Sequence, residues 1–453
     1  MRVKAAAKNH APTVVLGLGD TGLSCVRHLR ARGVRVMVND SRAAPPHLKT
    51  VRAEFPEVAV RTGGFDRELL HGAAAVVLSP GIDPADAGAA AAGCEVLGDM
   101  ELFARAIRTE QPGARLLAVT GSNGKSTVTA LAQAICRGAG INAVAGGNLG
   151  PPALDILDTG AAVFVLEVSS FQLQTTASLA PRAAVVTNVT SDHADRHPDA
   201  AAYAALKESV YRGAAVCIVN RDDPAVRAMK VPEPAVTFGR RPPAAAADYG
   251  ITRHRGGDWL ARGDSPLVDT QAMRLRGAHN HQNALAAMAL AEAAGADPGH
   301  MAGAVTAFAG LPHRFATVAV TAGGVTWIND SKGTNPAAAA AALNSAPAGR
   351  TVWIAGGDGK GADFTAAAAA AARARAIIVL GRDGPRIADA VGAAAVTVVD
   401  SVAAAVTQAA AVAGAGDTVL FSPACASFDQ YANFAARGDD FCAQVARLPQ
   451  EAA

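Results

Sequence analysis

The chain has 453 residues, half of them hydrophobic and 18% charged, with a formal net charge of +2. That length exceeds one ordinary core and predicts two to four domains, and the composition excludes a disordered chain. A charge balance so near zero gives no electrostatic case for a nucleic-acid or membrane partner, so any phosphate binding must come from local sites.

Six cysteines (25, 94, 136, 217, 425 and 442) lie scattered without a C-x-x-C pair. Neither a zinc site nor a disulfide framework is expected, and a reducing cytoplasm is the natural compartment. The opening MRVKAAAKNHAP has basic residues but no apolar core of a secretory signal. No stretch approaches the ~20 apolar residues of a membrane span.

From the first strand onward, short β-rich runs alternate with Ala-rich helical stretches. The runs include TVVLGLG (13–19), VRVMVND (34–40), AVVLSPG (75–81), RLLAVTG (115–121), AVFVLEV (162–168), AAVVTNV (183–189) and AVCIVN (215–220). They continue with VTWIND (325–330), TVWIAGG (351–357), AIIVLGR (376–382) and DTVLFSP (417–423). Alternation of this kind predicts an α/β protein with mostly parallel sheets and helices on both faces, binding ligands beyond the carboxyl ends of its strands. Alanine runs such as 337–342 read as helix faces. The stretch from about 231 to 276, rich in Pro, Gly and charge, breaks the rhythm and reads as a small β-rich excursion or loops. Boundaries near 104–114 and 309–313 divide the chain into 1–108, 109–311 and 312–453.

Several strand ends carry chemistry. GLGDTG (17–22) fits G-x-G-x-x-G after a strand, and Asp40 ends the next one; on their own they read as a dinucleotide turn with an acidic ribose ligand. In TGSNGKST (120–127) a strand turns into a helix marked by Val128, Leu131 and Ile135. A helix N-terminus with close-approach glycines suits phosphate; Lys125 would reach the β- and γ-phosphates and Ser126 would ligate Mg²⁺. The usual longer loop needs glycine at 119, which is Val119. Glu167, at a strand tip beside this loop, is either a hard oxygen ligand for Mg²⁺ or a capping carboxylate. NVTSDHADRHP (188–198) is either a transition-metal loop or a helix entry capped by Asp199. Lys207 reads as an exposed helix lysine. Asn280 and Asn283 share a helical face, where their amides match a base edge or cap the helix. Cys425, with no histidine in its stretch, reads as a buried thiol and not a nucleophile.

The short loop Gly121–Ser122–Asn123–Gly124–Lys125–Ser126–Thr127 resembles that of the Mur ligase and folylpolyglutamate synthase superfamily, which uses ATP to join a carboxylate to an amine. The resemblance extends over nearly the whole chain. It implies three domains: N-terminal Rossmann-like for a UDP substrate, central P-loop-like ATPase, and C-terminal Rossmann-like for an amino acid. Gly121 to Thr127 would hold ATP. EVSSFQLQ (167–174) would supply Glu167 to Mg²⁺, and His193 would ligate a second Mg²⁺. Lys207 would be carbamylated to serve a metal, which requires its amine to lose a proton. GGNLG (146–150) places Asn148 near the reacting phosphate, and GAHNHQNALAA (277–287) places Asn280 and Asn283 at adenine.

At the two ends of the chain the same resemblance redirects the first glycine turn to UDP. Leu18, Asp20 and Thr21 would lie near pyrophosphate, and Asp40, Arg42, Ser79 and Gly81 near uridine. In GLPHRF (310–315) His313 would be structural and Arg314 would contact the γ-phosphate. INDSKGTNP (328–336) would bring Asp330 to ATP, Lys332 to phosphate or the intermediate, and Thr334 to the amino acid. Lys360 in GGDGKGADF (356–364) would pair with a carboxylate. SPACASFDQYANFAARG (422–438) resembles the signature of the D-glutamate-adding branch, with Ser427, Phe428 and Phe434 near that amino acid. Phe428 stands where leucine is usual. The Asp-Asn-Pro-Arg motif of the diaminopimelate- or lysine-adding branch does not occur. The substrates implied are UDP-N-acetylmuramoyl-L-alanine, D-glutamate and ATP with two Mg²⁺, on a cytoplasmic monomer. The rival readings are a sister ligase or polyglutamate synthase, a nicotinamide oxidoreductase resting on Gly17–Gly22, and a non-catalytic UDP-sugar module.

Overall fold

The computed structural model describes residues 11–89, 93–190, 196–197, 199–275, 277–392 and 396–449. Its strands fall into three sheets. The first holds β1 (Thr13–Leu16), β2 (Val36–Asp40), β3 (Ala59–Thr62), β4 (Ala75–Leu78) and β5 (Glu95–Gly98) in the order β3-β2-β1-β4-β5, all parallel. The order reverses between β1 and β4, so the loops leaving these strands diverge and open a crevice.

The central sheet holds β6 (Arg115–Thr120), β7 (Ala143–Gly147), β8 (Val163–Glu167), β9 (Ala183–Val186) and β10 (Cys217–Asn220), followed by β11 (Ala235–Phe238), β12 (Tyr249–His254), β13 (Gly257–Arg262) and β14 (Ser265–Asp269). Their order is β14-β13-β12-β11-β10-β9-β6-β8-β7. The stretch that broke the sequence rhythm therefore extends this sheet. Its last three strands form antiparallel hairpins, the first closed by Arg255–Gly256, both at positive φ.

The third sheet runs β15-β16-β20-β17-β18-β19, built from β15 (Ala316–Val320), β16 (Thr326–Asn329), β17 (Thr351–Gly356), β18 (Ala376–Leu380), β19 (Val396–Val399) and β20 (Thr418–Phe421). Only β15 among these is antiparallel to its neighbour. Apolar clusters pack on both faces of this sheet, one around Trp353 and Leu343, the other around Trp327 and Phe441.

The first two sheets share an apolar core. One cluster runs continuously from Val15 and Leu29 through Phe103 to Phe164 and Leu166. The helix Asp99–Glu110 is the bridge: Phe103 meets Phe164 edge-on with centroids 5.5 Å apart. Polar contacts reinforce it, with Glu101 accepting from the Ala177 and Ser178 N–H groups at 2.9 Å and Ser24 Oγ donating to Asp155 at 2.6 Å. Among the described residues no helix is long and apolar enough to cross a membrane.

Candidate active site

The central element is the turn from β6 into the helix Lys125–Gly138. Gly124 sits at φ +83°, and a Cβ there would lie 2.4 Å from Asn283 Oδ1, so the close approach of the Asn283 amide to the loop demands glycine. The loop is pinned by residues just after β9, to which the sequence motifs assigned no such part. Asn188 Oδ1 accepts from Asn123 N–H at 2.9 Å, Thr187 Oγ1 donates to Asn123 O at 2.7 Å, and Ser122 Oγ accepts from Thr190 N–H at 3.0 Å. Lys125 Nζ folds back over the loop and donates to the Gly121 and Ser122 carbonyls, each at 2.9 Å.

Glu167 ends β8 next to β6 and is 2% exposed. Its carboxylate accepts from Ser126 Oγ and, at 2.5 Å, from Asn148 Nδ2. Burial works to raise its pKa, but Lys125, the Ser126 hydroxyl, Arg314 and Asn148 together outweigh burial and hold it below the usual carboxylate value. Arg314, from the start of the third body, donates through Nη2 to Ser126 Oγ at 2.5 Å. The third body thus already touches the phosphate loop, and Asn335 Nδ2 reaches Asn123 Oδ1 at 3.4 Å. Burial lowers the Arg314 pKa, with Glu167 and Asp330 opposing. Asp330 accepts from Ser422 Oγ at 2.6 Å and Phe315 N–H at 3.0 Å, yet burial pushes it up to about 7.

Lys207 is not the exposed helix lysine expected from the residues alone. It is 1% exposed, its Nζ donates to Gly121 O at 2.9 Å, and it lies 4.2 Å from the Tyr203 ring centroid. Its helix, Ala200–Glu208, is capped by Asp199, which accepts from Ala202 N–H, so the capping reading of this segment holds. His193, with Asp192 and Asp195, lies outside the described residues. Of the two readings of Asn280 and Asn283, the helix cap does not occur: Gly277 occupies the cap, and Asn283 Nδ2 donates to Asn280 Oδ1 at 3.0 Å.

Two cavities meet at the loop. The smaller, about 300 Å³, is lined by Asn123, Gly124, Thr127, Asn280, Asn283, Arg314 and Asp330, with Asp222, Gln282, His279 and Phe315 not foreseen. Gln282 Nε2 donates to Asp222 at 2.9 Å, and burial lowers the His279 pKa to about 4. The larger, about 720 Å³, gathers Lys125, Ser126, Asn148, Glu167, Lys207, Arg314, Lys332, Thr334, Lys360, Ser427, Phe428 and Phe434. Lys332 Nζ stands 4.1 Å from the Phe434 centroid and Lys360 Nζ 5.3 Å from that of Phe428, which is 63% exposed. Cys425 is buried, with its thiol pushed up to about 12 by burial, as a structural cysteine. His313 takes a structural position, its Nδ1 3.0 Å from Asn329 Nδ2.

The remaining candidates collect at the β1/β4 crevice. Leu18 is buried and its N–H donates to Asp40 Oδ2 at 2.7 Å; Asp40 also accepts from the Arg42 guanidinium at 2.6 and 2.9 Å. Both Asp40 oxygens accept hydrogen bonds from within this body. Asp20 pairs with His47 at 2.6 Å, and Ser79 Oγ donates to Gly17 O at 3.3 Å. Arg196, in the Asp-Arg-His stretch and also unforeseen, donates to Ile82 O at 2.7 Å and pairs with Asp83 at 2.9 Å, joining the crevice loop of Ser79 and Gly81 to the central body.

Comparison with known proteins covers nearly the whole chain. Residues 11–98 match the Mur ligase MurD-like N-terminal domain, 119–291 the Mur ligase middle domain, and 313–425 the Mur ligase glutamate ligase domain. The chain is 46% identical over 441 residues to the UDP-N-acetylmuramoylalanine–D-glutamate ligase of Methylococcus capsulatus, covering 96% of this chain and 94% of that protein. It is 47% identical over 446 residues to the enzyme of the same name from Shewanella oneidensis, covering 97% and 98%. Among solved structures it resembles UDP-N-acetylmuramate-alanine ligase from Thermotoga maritima (TM-score 0.62, 18% identity, 96% and 99% covered). It also resembles a pseudomurein peptide ligase type C from Methanothermus fervidus (TM-score 0.56, 18% identity, 91% and 96% covered), and both likenesses speak to the fold. With three consecutive domain matches and near-full-length relatives at this identity, the chain belongs to the Mur ligase family.

Proposed function

We propose that this chain is an ATP-dependent amide ligase that adds D-glutamate to UDP-N-acetylmuramoyl-L-alanine in peptidoglycan precursor synthesis, acting as a cytoplasmic monomer. The observation that carries the reading is the junction of two cavities at one phosphate loop, with Arg314 of the third body on Ser126 of the second. A nucleotide in the smaller cavity would direct its terminal phosphate into the larger one. The near-full-length relatives named for this activity support the choice of substrates.

A carboxylate is a poor electrophile, so the γ-phosphoryl group of ATP first moves to the alanyl carboxylate, giving an acyl phosphate and ADP. The D-glutamate amine then attacks and gives up a proton, and the tetrahedral intermediate collapses by expelling phosphate, leaving the amide. The protein's part is alignment and charge neutralisation. Lys125 and Arg314 would face the transferring phosphoryl group, with Asn148, held by Glu167, beside it. Lys332 and Thr334 would meet the intermediate and the incoming amine, and Lys360, Ser427, Phe428 and Phe434 would frame D-glutamate. Asn280, Asn283 and Asp330 would hold the nucleoside, and the β1/β4 crevice with Leu18, Asp20, Thr21, Asp40, Arg42, Ser79 and Gly81 would hold UDP.

The adjacent Ser126 hydroxyl and buried Glu167 carboxylate fit Mg²⁺, a hard ion that takes oxygen donors. When bound, Mg²⁺ would neutralise phosphate charge. Lys207 as an ammonium, donating to Gly121 O, does not suit a cation; its carbamate would, alongside His193. The experiment is ADP release with UDP-N-acetylmuramoyl-L-alanine, comparing D-glutamate with a panel of other amino acids. Selective release with D-glutamate is expected, and release driven equally well by another amino acid would assign a sister activity.

A further inference from the structure

We propose that Arg437 is the positioning residue of the amino-acid site, holding the three strand-end loops that converge there. This rests on the amino-acid reading of the larger cavity. The helix Phe434–Ala446 opens with Asn433 as its cap, and Arg437 lies in its first turn, 2% exposed. Its guanidinium reaches every loop that forms this end of the cavity. After β16, Ser331 accepts through Oγ from Nε at 3.1 Å and through its carbonyl from Nη2 at 2.9 Å. At the end of β17, Gly356 O accepts from Nη1 at 3.4 Å. After β20, Cys425 O and Ala426 O accept at 3.0 and 3.1 Å.

These loops deliver Lys332 and Thr334, Lys360, and Ser427 and Phe428 in turn. None of these hydrogen-bond partners is a carboxylate, so the cation is solvated by four carbonyls and one hydroxyl of the site's own walls. A planar fork of five donors can bridge carbonyls on three separate segments; a lysine ammonium, with three donors from one point, cannot span them. Two further contacts show that loop separation is tightly set. Asp358 and Ala426 exchange backbone hydrogen bonds of 2.9 and 2.8 Å. Gly357, at φ +129°, lies so close that a Cβ would fall 2.2 Å from Ala426 O and 3.0 Å from Arg437 Nη1. One turn before Arg437, Phe434 carries the Lys332 ammonium on its ring and accepts from Ser331 Oγ at 2.8 Å. A single helix turn therefore sets both a reactive-side lysine and the frame around the amino acid.

The test uses the full chain and two readouts. Hydrogen exchange of Arg437→Met should show the Asp358 and Ala426 amides opening at least about tenfold faster than in the unsubstituted protein, with β17 and β20 unchanged. Steady-state ADP release should show KM for D-glutamate raised about tenfold or more while KM for ATP stays within about twofold. Should Arg437→Met fail to fold, Arg437→Lys carries the same two measurements and should move both in the same direction. Added guanidinium, but not ammonium, should lower the D-glutamate KM of Arg437→Ala. Unchanged loop protection in a folded variant, or KM values for ATP and D-glutamate rising together, would overturn the proposal. A parent protein releasing no ADP on D-glutamate addition would instead defeat the functional reading, with hydrogen exchange still deciding the role of Arg437.

Discussion

Replacing Asp330 by asparagine tests the electrostatics of the cleft directly. The carboxyl is buried, and its pKa rises from an ordinary 3.8 to about 7 because the loss of water outweighs help from Ser422, the Phe315 N–H and Arg314. A carboxyl that binds its proton more tightly when folded stabilises the fold most at low pH. That stabilisation is lost progressively as pH rises from its ordinary value through about 7. The full span corresponds to on the order of 4 kcal/mol, of which roughly 2.5 kcal/mol falls between pH 5 and 8. Asp330→Asn is nearly isosteric and always neutral: its carbonyl can accept from Phe315 N–H, and its amide can donate to Ser422 Oγ. Urea unfolding without nucleotide would read this out through Trp327 and Trp353, both buried in the same body as Asp330. Relative to Asp330→Asn, the parent protein should lose roughly 2.5 kcal/mol from pH 5 to 8. Parallel pH dependence in the two proteins would refute a buried, proton-retaining Asp330.

Lys125→Met should lower kcat by about 10²- to 10³-fold in the ADP-release assay, the usual loss when one charge-stabilising donor is removed, and turnover within a factor of three of the parent would exclude it from phosphate binding. Glu167→Gln leaves Lys125 and Arg314 without their buried counter-charge and should cost on the order of 3 kcal/mol, read as a lower melting midpoint. Because the folded pKa of Glu167 is depressed, its stabilisation is present above its ordinary 4.5 and lost as pH falls below, so the difference between the two proteins should shrink in acid. Lys207→Ala should lose turnover and regain part of it with added short carboxylic acids if the lysine acts as its carbamate; full activity without them would remove Lys207 from the mechanism. Gly357→Ala should raise the KM for D-glutamate, since its Cβ would meet Ala426 O, and an unchanged KM would show that the loop contact is dispensable.

The strands legible in the sequence and those that were not differ in one physical respect. The apolar runs marked interior strands such as β1, β6, β8, β17 and β20, whose residues are almost all buried. β3, β5, β7, β15 and β19 escaped notice, and each is a sheet edge. An edge strand is half solvated, as in β3 and β15, whose residues are all exposed or half-buried. β11 to β14 fall in the stretch read as a small β-rich excursion or loops, where partial exposure and interruptions by Gly, Pro and charge left the two open. At the site, local motifs marked the phosphate loop, Glu167 and the strand-end lysines because each is a short chain segment with its own turn chemistry. Thr187, Asn188, Asp222, Gln282 and Arg196 were not, since their roles come from side chains reaching across strands.

By itself the chain determined the alternation of interior strands and helices, the glycine-rich turn at 121–124 and the residue types available to each strand end, because these follow from apolar periodicity, glycine placement and local charge. Only the tertiary structure decided that Lys207 is buried against Gly121 and that Asp330 retains a proton toward neutrality. It alone brought Arg314 onto Ser126 and set Arg437 among three loops. Burial and long-range hydrogen bonding depend on which distant segments pack together, and no window of neighbouring residues contains that information.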